Sequence, residues 1–114
     1  MNILFLCTAN KHRSRTAEEY FRAQCPNHHF KSAGLSQKFC EQFGTTLCSV
    51  EMLAWADRIF VMEERHKDRI AEHTGDFHLN KITILHIEDI YQHMQIELLE
   101  KFQSHEKLKF LKSG

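Results

Sequence analysis

The chain opens on an almost unbroken apolar segment, Asn2 to Cys7, which is too short for a helix and reads as a strand buried on both faces. From Ser14 to Gln24 the rhythm changes: Ala17, Tyr20, Phe21 and Ala23 recur at helical spacing, Glu18, Glu19 and Arg22 point the other way, and Pro26 follows as a stop. His29 to Ala33 predicts a second strand closing at Gly34. Leu35 to Thr46 is polar, without a clear period, and reads as a loop. Ser49 is placed to cap a short helix through Met52, Leu53 and Trp55, and Asp57 to Met62 predicts a third strand. Glu63 to His73 predicts a helix ending near Gly75, and Lys81 to Ile87 alternates as a fourth strand. Leu98, Leu99, Phe102, Leu108 and Leu111 then mark a final amphipathic helix.

Strands alternating with helices predict an α/β fold: a three-layer sandwich with a four-stranded parallel sheet, helices on both faces, and a loop after the first strand suited to phosphate. The 114 residues fit a single domain spanning 1–114. No apolar run approaches the roughly 18 residues of a membrane span, and the start of the chain lacks the pattern of a secretory signal. Lysine plus arginine (15) equals aspartate plus glutamate (15), so no overall field draws the molecule to nucleic acid or to an anionic membrane. Any anion recognition must be local. Four cysteines in a chain with ample Leu, Ile and Phe suggest reduced thiols and a cytoplasmic protein. Nine histidines form no zinc-type spacing, so no metal site and no cofactor are expected.

The chemistry concentrates between the first strand and the first helix. Ligands of parallel sheets bind at the carboxyl ends of strands, and a helix N-terminus offers unpaired amides and the positive end of a dipole. Cys7 lies there. Seven residues, Cys7 to Arg13, suffice to curl Thr8, Ala9, Asn10, Lys11 and His12 around a tetrahedral oxyanion, and the Arg13 guanidinium can grip two of its oxygens. Such surroundings favour the thiolate form of Cys7, the nucleophilic one. Ser14 can hydrogen-bond the sulfur, Asn10 can pin the loop through its backbone, and Lys11 and His12 add positive charge at the rim. The alternative is that Cys7 is an ordinary small buried residue ending a strand.

The segment Cys7-Thr-Ala-Asn-Lys-His-Arg13-Ser14-Arg-Thr-Ala17-Glu18 resembles the signature of low-molecular-weight protein tyrosine phosphatases. Ser32-Ala-Gly34, Trp55 to Glu63 and Ile87-Glu-Asp89-Ile-Tyr91 extend the likeness over residues 2 to about 100, toward a compact bacterial branch of that family. The resemblance implies Cys7 as nucleophile, Arg13 as phosphoryl ligand, Asp89 as general acid and Tyr91 as an aromatic stacking on the substrate. It implies a phosphorylated protein or a small aryl phosphate as partner, and Lys38 or Phe39 as the opposite wall. Glu63 falls where the family supports the cradle, although a glutamate opening a helix has reason enough to be there.

Four departures from the pattern occur. Ile90 replaces the proline after the acid, Gln95-Ile96 replaces a second Asp-Pro of the compact branch, His12 replaces a second loop cysteine, and Arg15 replaces the proline after Arg-Ser. Two other functions are compatible with the chain. One is a thiol-dependent arsenate reductase relaying oxidation through Cys40 and Cys48; the other is a catalytically weakened phosphotyrosine-binding module. Cys25, Cys40 and Cys48 otherwise read as structural.

Overall fold

The first strand, β1 (Asn2–Cys7), alternates its side chains between two cores. Ile3, Phe5 and Cys7 face one side with Phe60, Met62, Leu85 and Ile87. Leu4 and Leu6 face the other with Ile59 and Val61. A strand covered on both faces needs apolar residues at every position, which is why Ile3 to Cys7 is unbroken. In the computed structural model, which describes residues 1–112, β1 is flanked by β2 (His29–Gly34) and β3 (Arg58–Val61), and β4 (Ile82–Ile84) completes the order β2-β1-β3-β4, all parallel.

Helices cover both faces. On the side of Phe5 lie α1 (Arg13–Gln24), α5 (Ile96–Ser104) and a 3-10 segment, Glu106–Lys112, through Phe21, Leu98, Phe102, Leu108 and Leu111. Phe5, which is fully buried, stacks with Phe21, Phe30 and Phe60 at centroid separations of 5.7, 6.2 and 5.7 Å. On the opposite side, α3 (Val50–Trp55) and α4 (Glu64–Thr74) contribute Leu53 and Ile70. The expected three-layer α/β sandwich is therefore present. The chain moves from β1 to β2 on one side and to β3 on the other, so the switch point of the sheet falls at the end of β1.

Four expectations need correction. Residues 37–43, read as loop, form α2 (Gln37–Phe43): the Ser36 hydroxyl caps it by accepting from Phe39 N at 3.2 Å, and Gly44 ends it in the left-handed region with φ 65°. Only Cys40 of this helix is buried, so it carries no apolar stripe to announce it. β4 is shorter than 81–87 because His86 turns to φ 57°; Leu85 and Ile87 still donate to Val61 O and Met62 O at 2.8 and 2.9 Å. The final helix breaks at His105, whose ring bonds Leu85 O at 2.8 Å. Ala23 lies on the solvent side of α1, beyond the buried stripe of Ala17 and Phe21.

Candidate active site

At the end of β1 the chain curls before α1 begins at Arg13, and three hydrogen bonds from the two residues after β2 hold the curl. Leu35 N donates to Cys7 O and Thr8 O, and Ser36 N to Thr8 O, all at 3.0 Å. Gly34 lies so close beneath the loop that a Cβ there would stand 2.7 Å from Thr8 O and 2.9 Å from the Ala9 carbonyl carbon. A side chain at 34 would force the loop outward.

Asn10 holds the loop from within. It adopts φ 54°, a conformation asparagine tolerates better than most residues. Its amide nitrogen donates to Ser14 Oγ at 2.8 Å and to Ser32 Oγ at 2.9 Å, and its oxygen accepts from Thr46 N at 3.4 Å. Asn10 thus ties the loop to two neighbouring serines and a backbone amide outside it, not to the loop's own backbone. Ser32 in turn donates to Glu18. The Ser14 hydroxyl accepts from Asn10, shares a hydrogen bond with Cys7 Sγ at 3.0 Å that either group can donate, and also reaches Ala33 O at 3.4 Å.

Arg13 is almost wholly buried. Its Nη1 donates to Glu63 Oε2 at 2.6 Å and to Ile87 O at 2.8 Å, so both Nη1 protons are engaged. The Nε–Nη2 edge is the one suited to a two-oxygen grip, and the Asp89 carboxylate lies 3.7 Å from Nε. Glu63 is therefore both the residue capping α4 and the direct partner of Arg13. The same carboxylate oxygen takes Arg65 at 2.8 Å. Burial works against the Glu63 charge, but hydrogen bonds from Arg65 and Arg13 outweigh it and lower its pKa to about 2.

His66 braces the loop from the other side. Glu63 N donates to its Nδ1 at 3.0 Å, which puts the proton of the neutral ring on Nε2, and Nε2 donates to Thr8 Oγ1 at 2.9 Å. Burial, then the charges of Arg13 and Arg65, lower its pKa to about 4 and keep the ring neutral.

These residues open onto a cleft of about 390 Å³. Cys7, Thr8, Ala9 and Arg13 line it, together with Lys11 and His12. Asp89, Ile90, Tyr91 and Gln92 form one wall, and Phe39 and Phe43 the other. The structure thus brings Cys7, Arg13, Asp89 and Tyr91 to one cavity, and Ser14 to the sulfur. Phe39 is in the opposite wall; Lys38 is not among the lining residues and sits 5.8 Å from the Phe39 ring. Phe43 and His66 were not singled out from the sequence: Phe43 lies in the stretch read as loop, and His66 is one histidine among nine; Glu18 belongs to the signature stretch but reads there as a solvent-facing helix residue.

The rim differs from expectation at His12. His12 has its pKa lowered, by burial first and then by Lys11, and its Nδ1 accepts from His93 N at 3.0 Å, so it serves as a neutral acceptor. Arg15 pairs with Glu19 at 3.7 Å and is not among the residues lining the cleft. The loop carrying Asp89 lacks proline but is fastened to α1 by His93 N to His12, by the His93 ring to Glu19 and by Met94 N to Thr16 Oγ1 at 2.9 Å. Among the described residues, no group of three or more His, Cys, Asp or Glu side chains converges as a metal ion would require. No helix among them is long and apolar enough to cross a membrane.

The architecture is that of low-molecular-weight protein tyrosine phosphatases. A protein of that description from Bacillus subtilis superimposes with a TM-score of 0.68 at 22% identity, covering 98% of this chain and 93% of its own. YwlE arginine phosphatase from Geobacillus stearothermophilus gives 0.62 at 23% identity, with 98% and 88% covered. Vibrio vulnificus Wzb in complex with benzylphosphonate gives 0.68 at 16%, with 98% and 92% covered. No protein-family profile and no curated protein matches the chain by sequence.

Proposed function

We propose that this chain is a cysteine phosphatase that hydrolyses phosphomonoesters, with protein phosphotyrosine as its substrate class. One observation carries the reading: a cysteine sulfur hydrogen-bonded at 3.0 Å by Ser14 shares a cleft with a buried arginine and an aspartate 3.7 Å from that arginine. In this mechanism the phosphoryl group rests on the amides of Thr8 to Ser14 and on the Nε–Nη2 edge of Arg13, which stabilise charge on its equatorial oxygens. The Cys7 thiolate attacks phosphorus, forming the S–P bond as the P–O bond to the leaving group breaks, and Asp89 gives its proton to the departing oxygen. Asp89 then takes a proton from water, the resulting oxygen attacks phosphorus, and the S–P bond breaks to release phosphate and the thiolate.

The aromatic walls, Tyr91 on one side and Phe39 with Phe43 on the other, suit an aryl group. The Lys11 ammonium, 4.1 Å from the Phe43 ring, adds positive charge at the rim that suits the phosphoryl group. The arsenate-reductase reading is weakened by Cys48, whose thiol burial and the neighbouring Cys40 push up to about 12, leaving it a poor relay nucleophile. The binding-module reading is weakened by Asp89, which lies within the cleft despite Ile90 and Gln95. Four unpaired thiols suit a reducing compartment, which supports a cytoplasmic location.

The test is phosphate release from an aryl phosphate, a phosphotyrosine peptide and a phosphoarginine peptide. Cys7→Ser should abolish turnover. Asp89→Asn should lower it by about 10² to 10⁴, most for the poorest leaving group. Phosphate release by Cys7→Ser at the intact rate refutes the mechanism, and normal turnover by Asp89→Asn refutes the acid assignment.

A further inference from the structure

Beside the catalytic cleft lies a second cavity of about 260 Å³, and Thr8 lines both. Its remaining walls are Leu35, Ser36, Arg65, His66 and Arg69. Arg65 and Arg69 stand one helical turn apart on α4, so their guanidinium groups share one face. Among the described residues one carboxylate, that of Glu63, pairs with this cluster, and Asp89 acts on Arg65 at longer range. Glu63 Oε2 is divided between Arg13 and Arg65, and Arg69 makes no ion pair among the described residues. Glu64, Asp68 and Glu72 recur at four-residue spacing along a neighbouring strip of α4 and do not line the cavity. In a molecule whose formal charges sum to zero, this is a local excess of positive charge next to Cys7.

The cavity also holds hydroxyl groups with protons to give. Ser36 Oγ accepts from Phe39 N, and Thr8 Oγ1 accepts from His66 Nε2, so each keeps its own O–H as a donor. Guanidinium forks and hydroxyl donors with no carboxylate in the lining are the equipment of a carboxylate site.

We infer that the Arg65–Arg69 cavity is a specificity subsite that takes the carboxylate of an aspartate or glutamate flanking the phosphorylated residue of a peptide substrate. The inference rests on the phosphatase reading of the cleft. A phosphorylated side chain seated over Cys7 leaves its own backbone above the rim, and an extended peptide advances about 3.3 to 3.6 Å per residue. An acidic side chain about one to three residues away therefore reaches back down to the neighbouring cavity. Both arginines are exposed, so the preference is modest and sensitive to salt.

The test uses phosphotyrosine peptides that differ only in having glutamate, glutamine or lysine at the flanking positions. Binding to the Cys7→Ser protein is measured by fluorescence anisotropy, and kcat/KM on the active protein. Glutamate peptides should bind about three- to tenfold tighter than glutamine peptides, and the advantage should fall in high salt. Arg69→Gln should remove most of it while leaving hydrolysis of a small aryl phosphate unchanged, and Arg69→Glu should favour the lysine peptide. Equal binding of the three peptides, no binding of any, or a glutamate preference that survives in Arg69→Glu overturns the subsite. If the glutamate preference holds in binding but no phosphate is released by the active protein, the subsite stands and the phosphatase reading falls.

Discussion

At Asn10 one side chain satisfies three demands at once: a left-handed backbone at φ 54°, two donors for Ser14 and Ser32, and an acceptor for Thr46 N. The demands separate by substitution. Asn10→Gly keeps the backbone freedom and loses the hydrogen bonds; Asn10→Ala loses both. Equilibrium urea unfolding should find the alanine variant less stable than the glycine variant by about 1 kcal/mol. Aryl phosphate turnover should be depressed in both, because the Ser14 hydroxyl beside Cys7 loses the amide that holds it in place. Equal activity of Asn10→Gly and the unaltered protein would dismiss that role for the side chain. The cysteine, the arginine and the two flanking serine and asparagine positions were legible in the sequence because they fall within one short stretch. Glu63, whose place the resemblance also marks, Ser32 and His66 support them from other elements, and the contacts of Ser32 and His66 are created only when the chain closes on itself.

Among the elements, β1, β2 and α1 could be read from their apolar rhythm because each buries a full face. α2 could not, because it buries only Cys40 and turns Phe39 and Phe43 into the cleft, where no periodic pattern is needed. Its signals were its ends, Ser36 and Gly44. Fourth-strand alternation overran the true strand because Leu85 and Ile87 stay buried after the backbone has turned at His86. The contact between β2 and the loop gives a prediction at this scale. Gly34→Ala would drive a methyl group against Thr8 O and Ala9, which are backbone atoms that move only with the whole loop. Aryl phosphate kcat/KM should fall by more than tenfold, a displacement of about 1 Å being enough for such losses, while far-ultraviolet circular dichroism retains the helical signal. Unchanged kinetics would mean that the loop has slack the geometry does not suggest.

For the whole molecule, buried His66 and half-buried Glu63 beside the cleft predict how stability follows pH. The folded pKa of His66, about 4, lies below its ordinary 6.5, so the unfolded chain takes up the proton first as pH falls. The stabilisation from its neutral ring is complete above about 6.5 and is lost as pH falls towards 4, a change on the order of 3 kcal/mol. Glu63, lowered to about 2, adds stability that is present above its ordinary 4.5 and is lost as pH falls through 2. Urea midpoints should thus decline from pH 6.5 downward, and His66→Gln should flatten the part of the slope between 6.5 and 4 while leaving the more acidic part. A wild-type midpoint constant from pH 7 to 4 would contradict the assignment of a neutral, buried His66.

The segment that bears Asp89 is fastened to another helix, through His12, Thr16 and Glu19, and not by a ring in its own backbone. A built-in ring restrains its segment whatever surrounds it. Fastenings to a neighbour can be loosened or re-aimed by changes on that neighbour, so the reach of this aspartate is inherited in part from residues of α1, and variation there can retune the reaction while the aspartate itself stays the same.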